Sequence, residues 1–373
     1  MALAPRLSDI QEILLMGPGP SCVPPQVLEA ISRPTIGHMD PTFISLANDV
    51  KAMLRVVMGT ENHLTIPMSG TGSAGMEACF VNLLERGDPV LILVNGVFGV
   101  RMKEVASRLG AQVDSVEFEW GTPVRLEAVQ ERLEDKAYRL LAVVHAETST
   151  GVRNPVAEIG ALVQGSDTLY LVDAVTSLGG IPVSMDEWGI DALYSGTQKC
   201  LSCPPGLSPV SFSERALEKL ARRATPVPNW YLDLSLLMKY WEGNSRVYHH
   251  TAPINMIYAL YQALALILEE GLDHTYRRHA EAHAALVGGL ADLGLEMLVD
   301  EPYRLPMLNT VVIPDGVDDA GLRSRLLTEY GIEIGGGLGP LSAKVWRIGL
   351  MGHTARLENV DRVLSALGAL LGN

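Results

Sequence analysis

Short apolar runs alternate with amphipathic segments through the first two thirds of the 373-residue chain, and this alternation constrains its fold most strongly. Strands buried on both faces read as continuous apolar runs, and the helices between them cover a largely parallel sheet on both sides. Seven runs have the length of such strands: residues 63–67, 89–94, 113–118, 139–145, 168–173, 192–195 and 209–212. Five nearby segments have helical periodicity: residues 73–84, 101–109, 126–135, 156–164 and 214–223. The pattern predicts an α/β fold with a mainly parallel seven-stranded sheet.

The last third of the chain predicts a second, smaller α/β unit. Its strand-like runs are residues 308–313, 332–334 and 345–349, and its helical segments are 320–330 and 357–371. Two longer helical segments, 253–270 and 275–293, separate this unit from the large sheet. Domains commonly hold about 100–200 residues. We therefore predict an N-terminal arm over residues 1–20, a large domain over 21–270 and a small C-terminal domain over 271–373.

Composition excludes several classes of protein. Asp and Glu number 43 against 29 Lys and Arg, so the chain has no general basic field for nucleic acid or anionic lipid. Four cysteines are too few for a disulfide framework in a chain of this size. No secretory signal or apolar run of membrane-spanning length is recognisable. The sequence predicts a soluble cytoplasmic protein that binds neither nucleic acid nor membrane.

The strongest local motif is the segment 69–75, Ser-Gly-Thr-Gly-Ser-Ala-Gly, which directly follows a strand and opens a helix. Small residues at a helix N-terminus form an anion cup, because unpaired N–H groups and positive potential face the ligand. The cup suits a dinucleotide or the phosphate of a smaller cofactor such as pyridoxal phosphate, and a plain packing turn is the third alternative. A dinucleotide needs an acidic residue at the end of the next strand. That strand ends in Asn95-Gly96, which favours the smaller cofactor.

Two later strands each end in a group that a phosphate-bearing aldehyde cofactor requires. Residues 168–172 lead into Asp173, and residues 192–195 are followed by Gly196-Thr197-Gln198-Lys199. Ligands of open α/β sheets bind beyond the carboxyl ends of the strands, so cup, Asp173 and Lys199 are expected to face one cleft. Lys199 can form a Schiff base with the aldehyde, and Asp173 can hold the pyridine nitrogen protonated.

Two other polar features allow more than one interpretation, and a third, a pair of histidines, has a single one. Arg347, in the apolar strand 345–349, suits either a substrate carboxylate or an internal salt bridge. The segment 248–251, Tyr-His-His-Thr, is either a helix cap provided by Thr251 or a ligand-facing turn. The histidine pair at 279 and 283 is predicted to lie on a solvated helix face.

Cys200 and Cys203 form a Cys-x-x-Cys pair beside Lys199. A zinc site needs two further ligands, and a redox site needs the pair to open a helix, whereas prolines follow here. We interpret the pair as packing residues and predict no metal.

With these residues in view, the chain resembles the class V, fold-type I aminotransferases, and within them the alanine–glyoxylate / serine–pyruvate aminotransferase group. The resemblance covers nearly the whole chain. Its segments are residues 14–21 (Leu-Leu-Met-Gly-Pro-Gly-Pro-Ser), the cup, 95–99 (Asn-Gly-Val-Phe-Gly), 147–152 (Glu-Thr-Ser-Thr-Gly-Val), 171–173, 194–199, 248–251, 335–340 (Gly-Gly-Gly-Leu-Gly-Pro) and 347–349. So many matches in order are far more specific than any one motif.

The resemblance implies roles for the matching residues. Lys199 would carry pyridoxal 5'-phosphate as a Schiff base and shuttle the substrate proton, and Asp173 would pair with the pyridinium nitrogen. Arg347 would bind the substrate carboxylate, and the turn with Pro18 and Gly19 would line the substrate pocket. The remaining residues would contact the cofactor: Thr71, Gly72, Ser73 and Gln198 at the phosphate, Phe98, Thr148 and Val175 around the ring, and Tyr248 and Thr251 from a second subunit. Phe98 stands where the family usually has Trp, and Ser73 where mammalian members have His.

The implied activity is ping-pong transamination between a small amino acid, alanine or serine, and glyoxylate or pyruvate, by a homodimer with shared active sites. The alternatives are ureidoglycine–glyoxylate transamination or a lyase reaction on the same fold. More distant alternatives are a nicotinamide-dependent oxidoreductase and a non-catalytic protein that keeps the fold and the cofactor.

Overall fold

The structure is a computed structural model that describes residues 7–241 and 246–372. The strands are β1 (Leu14–Leu15), β2 (Leu64–Ser69), β3 (Pro89–Val94), β4 (Gln112–Glu117), β5 (Leu140–Val144), β6 (Ala146–Glu147), β7 (Val152–Arg153), β8 (Leu169–Asp173), β9 (Ala192–Tyr194), β10 (Leu207–Phe212), β11 (Leu308–Val312), β12 (Ile332–Glu333), β13 (Gly335–Gly336) and β14 (Val345–Gly349). The α-helices are α1 (Pro25–Ile31), α2 (Pro41–Met58), α3 (Gly72–Leu83), α4 (Val97–Arg108), α5 (Leu126–Asp135), α6 (Val156–Val163), α7 (Glu214–Ala221), α8 (Leu234–Trp241), α9 (Ile254–Glu270), α10 (Leu272–Asp292), α11 (Asp319–Tyr330) and α12 (Leu357–Leu371).

The large sheet has seven strands in the order β2-β10-β9-β8-β5-β3-β4, and only β10 runs antiparallel to its neighbours. Each of the seven strands predicted from apolar runs is present, with ends displaced by two residues or fewer. The α/β fold with a mainly parallel seven-stranded sheet is therefore confirmed. Register aligns the carboxyl ends of the central strands, because Val144 pairs with Asp173 and Asp173 pairs with Tyr194.

The expectation that all these strands are apolar on both faces is wrong for β4. This strand, Gln112–Glu117, lies at the edge of the sheet, and none of its residues is fully buried. An edge strand has one neighbour, so its polar residues can reach solvent. Helix α2 has no counterpart among the predicted helices, although Asp40 caps its start by accepting from Thr42 N at 2.7 Å and Gly59 ends it with φ +61°.

A second hydrophobic cluster lies in the C-terminal part, where β11, β14 and β13 form an antiparallel sheet with α10, α11 and α12 packed around it. Met16 is buried in this cluster, and β1 pairs in parallel with β12. The N-terminal segment around residues 14–16 therefore packs against C-terminal strands. The domain boundaries at residues 20 and 270 stay predictions. Residues 1–6 of the N-terminal arm and residue 373 of the small domain lie outside the described residues. Within the described ranges, no helix is long and apolar enough to cross a membrane.

Candidate active site

The carboxyl ends of the central parallel strands bring the predicted site residues to one edge of the sheet. Strand β2 ends at Ser69, β8 ends at Asp173, and Lys199 follows β9 by five residues. Antiparallel β10 begins at the same edge, with Leu207 paired to Ser69. The order of strands thus places the glycine-rich cup, the carboxylate and the lysine around the same cleft.

The cup is the N-terminus of α3, which begins at Gly72. No side chain caps this helix, so the N–H groups of its first turn lack the usual side-chain acceptor. A Cβ on Gly72 would lie 3.2 Å from Val175 Cγ2 and 3.5 Å from the Ser195 carbonyl oxygen. The hydroxyl-bearing side chains of Thr71 and Ser73 on either side of it are exposed. Exposed hydroxyls and unpaired amides together suit an anion.

Gln198 faces the cup from the loop after β9. A Cβ on Gly196 would lie 2.8 Å from Gln198 Oε1 and 3.4 Å from Val175 Cγ1, so glycine leaves room for the amide. Oε1 of Gln198 is buried and has no hydrogen-bond partner among the described residues. A buried polar group left without a partner marks a place where a ligand can supply one. Gly75, by contrast, lets α3 pack on the sheet, since its Cβ would lie 3.1 Å from Tyr194 Cβ.

Asp173 is 3% exposed and has two hydrogen bonds within the chain. Oδ1 accepts from Val175 N at 2.8 Å, and Oδ2 accepts from the Tyr194 hydroxyl at 2.7 Å. Burial raises the pKa of Asp173 to about 6, although both hydrogen bonds and the charges of Lys199 and Arg101 favour the ionised form. A nearby cation would therefore be strongly bound by this carboxylate. The sequence did not point to Tyr194. Its role as a hydrogen-bond donor to Asp173 follows from the neighbouring positions of β8 and β9 in the sheet.

Lys199 is 9% exposed and lies against the turn formed by Pro18 and Gly19. Its Nζ donates to the Pro18 carbonyl oxygen, and a Cβ on Gly19 would lie 2.7 Å from Lys199 Cδ. Ser21 holds the backbone beside it, since Ser21 Oγ donates to the Lys199 carbonyl oxygen at 2.8 Å. Burial lowers the pKa of Lys199 to about 8. The structure thus provides a lysine that is readily available as a neutral, nucleophilic amine.

Arg347 is buried in β14, opposite Gly335 of β13. Its Nε donates to the Gly336 carbonyl oxygen at 2.8 Å and its Nη1 to the Thr148 carbonyl oxygen at 3.1 Å. In the described part of the chain both hydrogen bonds go to carbonyl groups, so the internal salt bridge allowed by the sequence is not formed. Burial lowers the pKa of Arg347 to about 10, and the nearby negative charge of Glu147 opposes this shift. A guanidinium has five N–H donors, so three remain for a ligand.

Glu147 is a fully buried carboxylate that sequence analysis did not single out. It accepts from Ser149 Oγ at 2.5 Å and from the N–H groups of Phe98 at 3.2 Å and Gly99 at 3.4 Å. A carboxylate at this place stabilises the N-terminus of α4. Burial raises the pKa of Glu147 to about 7. Thr148, the next residue along the chain, is buried as well. The half-buried ring of Phe98 has the Arg101 guanidinium 5.1 Å from its centroid.

The segment with Tyr248 and Thr251 borders the cup from outside. Thr251 is exposed and lines a 590 Å³ cleft together with Ser69, Gly70 and Ser73. Thr251 does not cap the following helix, because α9 begins after Pro253 without a side-chain cap. The cap interpretation is therefore wrong, and the position of Thr251 in the cleft favours the ligand-facing turn.

The prediction that His279 and His283 form a solvated face is also wrong. His279 is fully buried: its Nδ1 lies 2.7 Å from the Thr275 carbonyl oxygen, and its Nε2 accepts from Gly352 N at 2.9 Å. His283 is partly buried with its Nδ1 2.6 Å from Asn309 Oδ1. Both histidines face the C-terminal strands and loops, contacts that helical spacing alone does not reveal.

Cys200 and Cys203 are buried and unpaired. Burial raises the pKa of both thiols to about 12, which makes them unreactive. Their surroundings are those of packing residues.

Comparisons with known proteins agree with this geometry. The family model for aminotransferase class V matches residues 13–363. An alanine–glyoxylate aminotransferase of Rattus norvegicus is 44% identical over 98% of this chain and 89% of its own length. An (S)-ureidoglycine–glyoxylate transaminase of Bacillus subtilis is 40% identical over 96% of this chain and 90% of its own length. The crystal structure of an alanine–glyoxylate aminotransferase from Nostoc sp. superimposes with a TM-score of 0.97 at 51% identity, covering 99% of this chain and 98% of that one.

The matched range, residues 13–363, includes the cup, Asp173, Lys199 and Arg347. These similarities exclude the nicotinamide-dependent oxidoreductase, which would need a different fold family. The chain belongs to the class V aminotransferases, a family of enzymes that depend on pyridoxal phosphate.

Proposed function

We propose that this enzyme transfers the amino group of a small amino acid, alanine or serine, to glyoxylate or pyruvate by a ping-pong mechanism. Lys199 and Asp173 are the catalytic residues of this proposal. The observation that carries it is the convergence at one sheet edge of a buried lysine, a buried carboxylate and an uncapped helix N-terminus. Arg347 is hydrogen-bonded to no carboxylate among the described residues.

The residues present fit pyridoxal 5'-phosphate. Its phosphate matches the uncapped first turn of α3 and the exposed hydroxyls of Thr71 and Ser73, and the amide nitrogen of Gln198 would add a further donor. Gly72 leaves the backbone open to close approach. When bound, pyridoxal phosphate supplies an aldehyde that reacts with amines and a protonated ring that withdraws electrons from the substrate carbon.

Each side chain then has a task that follows from its environment. Asp173 would hold the ring nitrogen in its protonated form, which a buried ionised carboxylate favours. Lys199 would provide the amine that bonds the cofactor and would carry the proton removed from the substrate carbon. Its lowered pKa keeps a substantial neutral fraction near neutral pH. Phe98 and Val175 would pack against the ring, Thr148 would lie beside its hydroxyl, and all three would exclude water.

Arg347 binds the carboxylate shared by amino acids and 2-oxo acids. The rigid fork of its guanidinium allows two-point contact, and the carbonyl groups of Gly336 and Thr148 fix its plane. Pro18 and Gly19 form the opposite wall of the substrate pocket, where they already contact Lys199. A pocket bounded in this way favours amino acid substrates with small side chains.

A second candidate activity is ureidoglycine–glyoxylate transamination. The 40% identical relative from Bacillus subtilis carries that name, and its match covers 96% of this chain. Both candidates share the acceptor and the catalytic residues, so they differ only in the amino donor.

We further propose that the enzyme is a cytoplasmic homodimer in which Tyr248 and Thr251 contact the cofactor phosphate of the partner. Tyr248 is 64% exposed and nearby Trp230 61% exposed, and aromatic side chains so exposed beside a cleft are typical of an interface.

The experiment that tests the proposed function is a donor panel monitored by absorbance. The purified protein is reconstituted with pyridoxal phosphate and mixed with alanine, serine, ureidoglycine or aspartate, and then with glyoxylate or pyruvate. We expect the visible absorbance band to bleach with alanine or serine and to return with the 2-oxo acid. Lys199→Ala should abolish turnover, while Lys344→Ala, at an exposed position, serves as the matched control. Bleaching by ureidoglycine alone would select the second candidate, and no bleaching by any donor would contradict both.

A further inference from the structure

We propose that His250 is a positioning residue of the active site. It fixes Ser69, at the end of β2, to the segment that bears Tyr248 and Thr251. It does so through a chain of hydrogen bonds, here called the relay, in which each donor and acceptor is determined. The relay runs from the Ser69 hydroxyl to His250, from His250 to His249, and from His249 to the Trp230 carbonyl. This inference rests on the proposed function, because it concerns how the phosphate cup of one subunit is held to the segment proposed to reach the cofactor of the partner subunit.

Three short contacts define the relay. Ser69 Oγ lies 2.8 Å from His250 Nε2, His250 Nδ1 lies 2.8 Å from His249 Nδ1, and His249 Nε2 lies 3.3 Å from the Trp230 carbonyl oxygen. The two imidazole rings meet edge to face at an interplanar angle of 86°. Ser69 immediately precedes the glycines of the cup, so the relay begins at the cup itself.

The carbonyl at the far end sets the direction of every hydrogen bond. A carbonyl oxygen can only accept, so His249 must carry its proton on Nε2. In the neutral ring Nδ1 of His249 is then an acceptor, and His250 must donate to it from its own Nδ1. His250 therefore has a bare Nε2, which accepts from the Ser69 hydroxyl. Burial lowers the pKa of His250 to about 4, so this ring stays neutral at neutral pH.

One consequence concerns the chemistry of the cup. Because the hydroxyl proton of Ser69 is used by His250, Ser69 presents only lone pairs and cannot donate to an anion. Donors to a phosphate must then come from other groups, among them the hydroxyls of Thr71 and Ser73 and the first amides of α3. The relay thereby gives Ser69 a different role from Thr71 and Ser73, although all three are hydroxyl residues of the same sequence motif.

Packing around the relay fixes its position. The ring of Trp230 stacks on His249 with centroids 4.2 Å apart, and Tyr231 Oη donates to the Ser69 carbonyl oxygen at 3.3 Å. Ser69 and Thr251 line the same cleft. His250 therefore joins the wall of that cleft that contains Ser69 to the outer wall, which contains Thr251. Loss of His250 would free the outer wall without removing any group that contacts the cofactor.

Two isosteric variants separate the two halves of the relay. His250→Asn keeps a donor near the Nδ1 position and removes the acceptor for Ser69, whereas His250→Gln keeps an acceptor near Nε2 and removes the donor to His249. Ser69→Ala deletes the same contact as His250→Asn from its other end. His274→Asn, on an exposed part of α10, is the matched control.

The first measurement is the apparent dissociation constant of pyridoxal phosphate, obtained by titrating the apoprotein and following near-ultraviolet circular dichroism. We expect a rise of about 10-fold to 100-fold for His250→Asn and for Ser69→Ala, the size associated with one lost buried hydrogen bond. The double variant should bind within about 2-fold of either single variant, because both substitutions break one interaction. The value of kcat at saturating cofactor should change less than the dissociation constant.

The second measurement is the tautomer of each histidine in the wild-type protein, determined by 15N NMR at pH 7.5. We expect His250 protonated on Nδ1 and His249 on Nε2. A His250 protonated on Nε2, or additive effects of Ser69→Ala and His250→Asn, would overturn the relay. Failure of the proposed function is a different result, since the wild-type protein itself would then not bind pyridoxal phosphate.

Discussion

Replacing Arg347 by lysine tests how the substrate carboxylate is recognised. The guanidinium uses two of its five N–H donors on the carbonyl groups of Gly336 and Thr148, which leaves three for a carboxylate. Lysine keeps the charge but loses the planar fork, so the carboxylate would keep one contact instead of two. A hydrogen bond to a charged group contributes about 1.5–3 kcal/mol, and poorer orientation adds to its loss. We expect kcat/KM for alanine to fall by about 30-fold to 1,000-fold, corresponding to about 2–4 kcal/mol.

The assay is the single-turnover reaction of the pyridoxal-phosphate form with alanine, compared with ethylamine, which lacks the carboxylate. Arg347→Lys should slow the reaction with alanine and leave the reaction with ethylamine nearly unchanged, because only alanine uses the guanidinium. Equal losses with both amines would refute the assignment, since they would show that Arg347 supports the fold or the cofactor instead of the substrate.

Three further predictions follow from the same site. Gly19→Ala should reduce kcat by more than 10-fold and the free energy of unfolding by about 1–3 kcal/mol. The reason is that φ of Gly19 is +106° and the new Cβ would lie 2.7 Å from Lys199 Cδ. Turnover measures the first effect and thermal unfolding the second. The rate at which the apoprotein captures pyridoxal phosphate should rise with pH around a midpoint near 8, the pKa of Lys199, and level off at higher pH, where this lysine is neutral; a stopped-flow midpoint near 10 would contradict the lowered pKa. Tyr194→Phe removes a hydrogen bond that lowers the pKa of Asp173, so the acid limb of the pH–rate profile should move upward by about 1–2 pH units; an unmoved limb would exclude this influence.

The sequence alone was sufficient for the large sheet and for the two residues at its carboxyl edge. Buried strands have a local signature, and the parallel arrangement brings strand ends together whatever the detailed packing. For this reason Asp173 and Lys199 could be assigned to one cleft before their neighbours were known. The start and stop signals of α2, Asp40-Pro41 and Gly59, were also present in the sequence. Its buried residues recur every three or four positions (Phe43, Ala47, Val50, Leu54 and Val57), so this helix had a local signature although it was not predicted.

Other parts of the site depend on contacts between segments distant in the chain, and no local pattern reveals them. Glu147 reaches the N-terminus of α4 about 50 residues away, and Ser21 reaches Lys199 across 178 residues. His279 appeared solvent-facing from its charged neighbours, yet Gly352 N donates to its Nε2 across 73 residues. In each case a polar group is buried because a specific partner satisfies it, and the partner is known only once the chain is folded.

The most direct test of the central claim is to locate the lysine that bonds the cofactor. The protein is reconstituted with pyridoxal phosphate, reduced with borohydride, digested and analysed by peptide mass spectrometry. The account predicts the added mass of the phosphopyridoxyl group on the peptide containing Lys199, at full occupancy, and its absence there in Lys199→Ala. Labelling of a different lysine in the wild-type protein, or no labelled peptide at all, would contradict it.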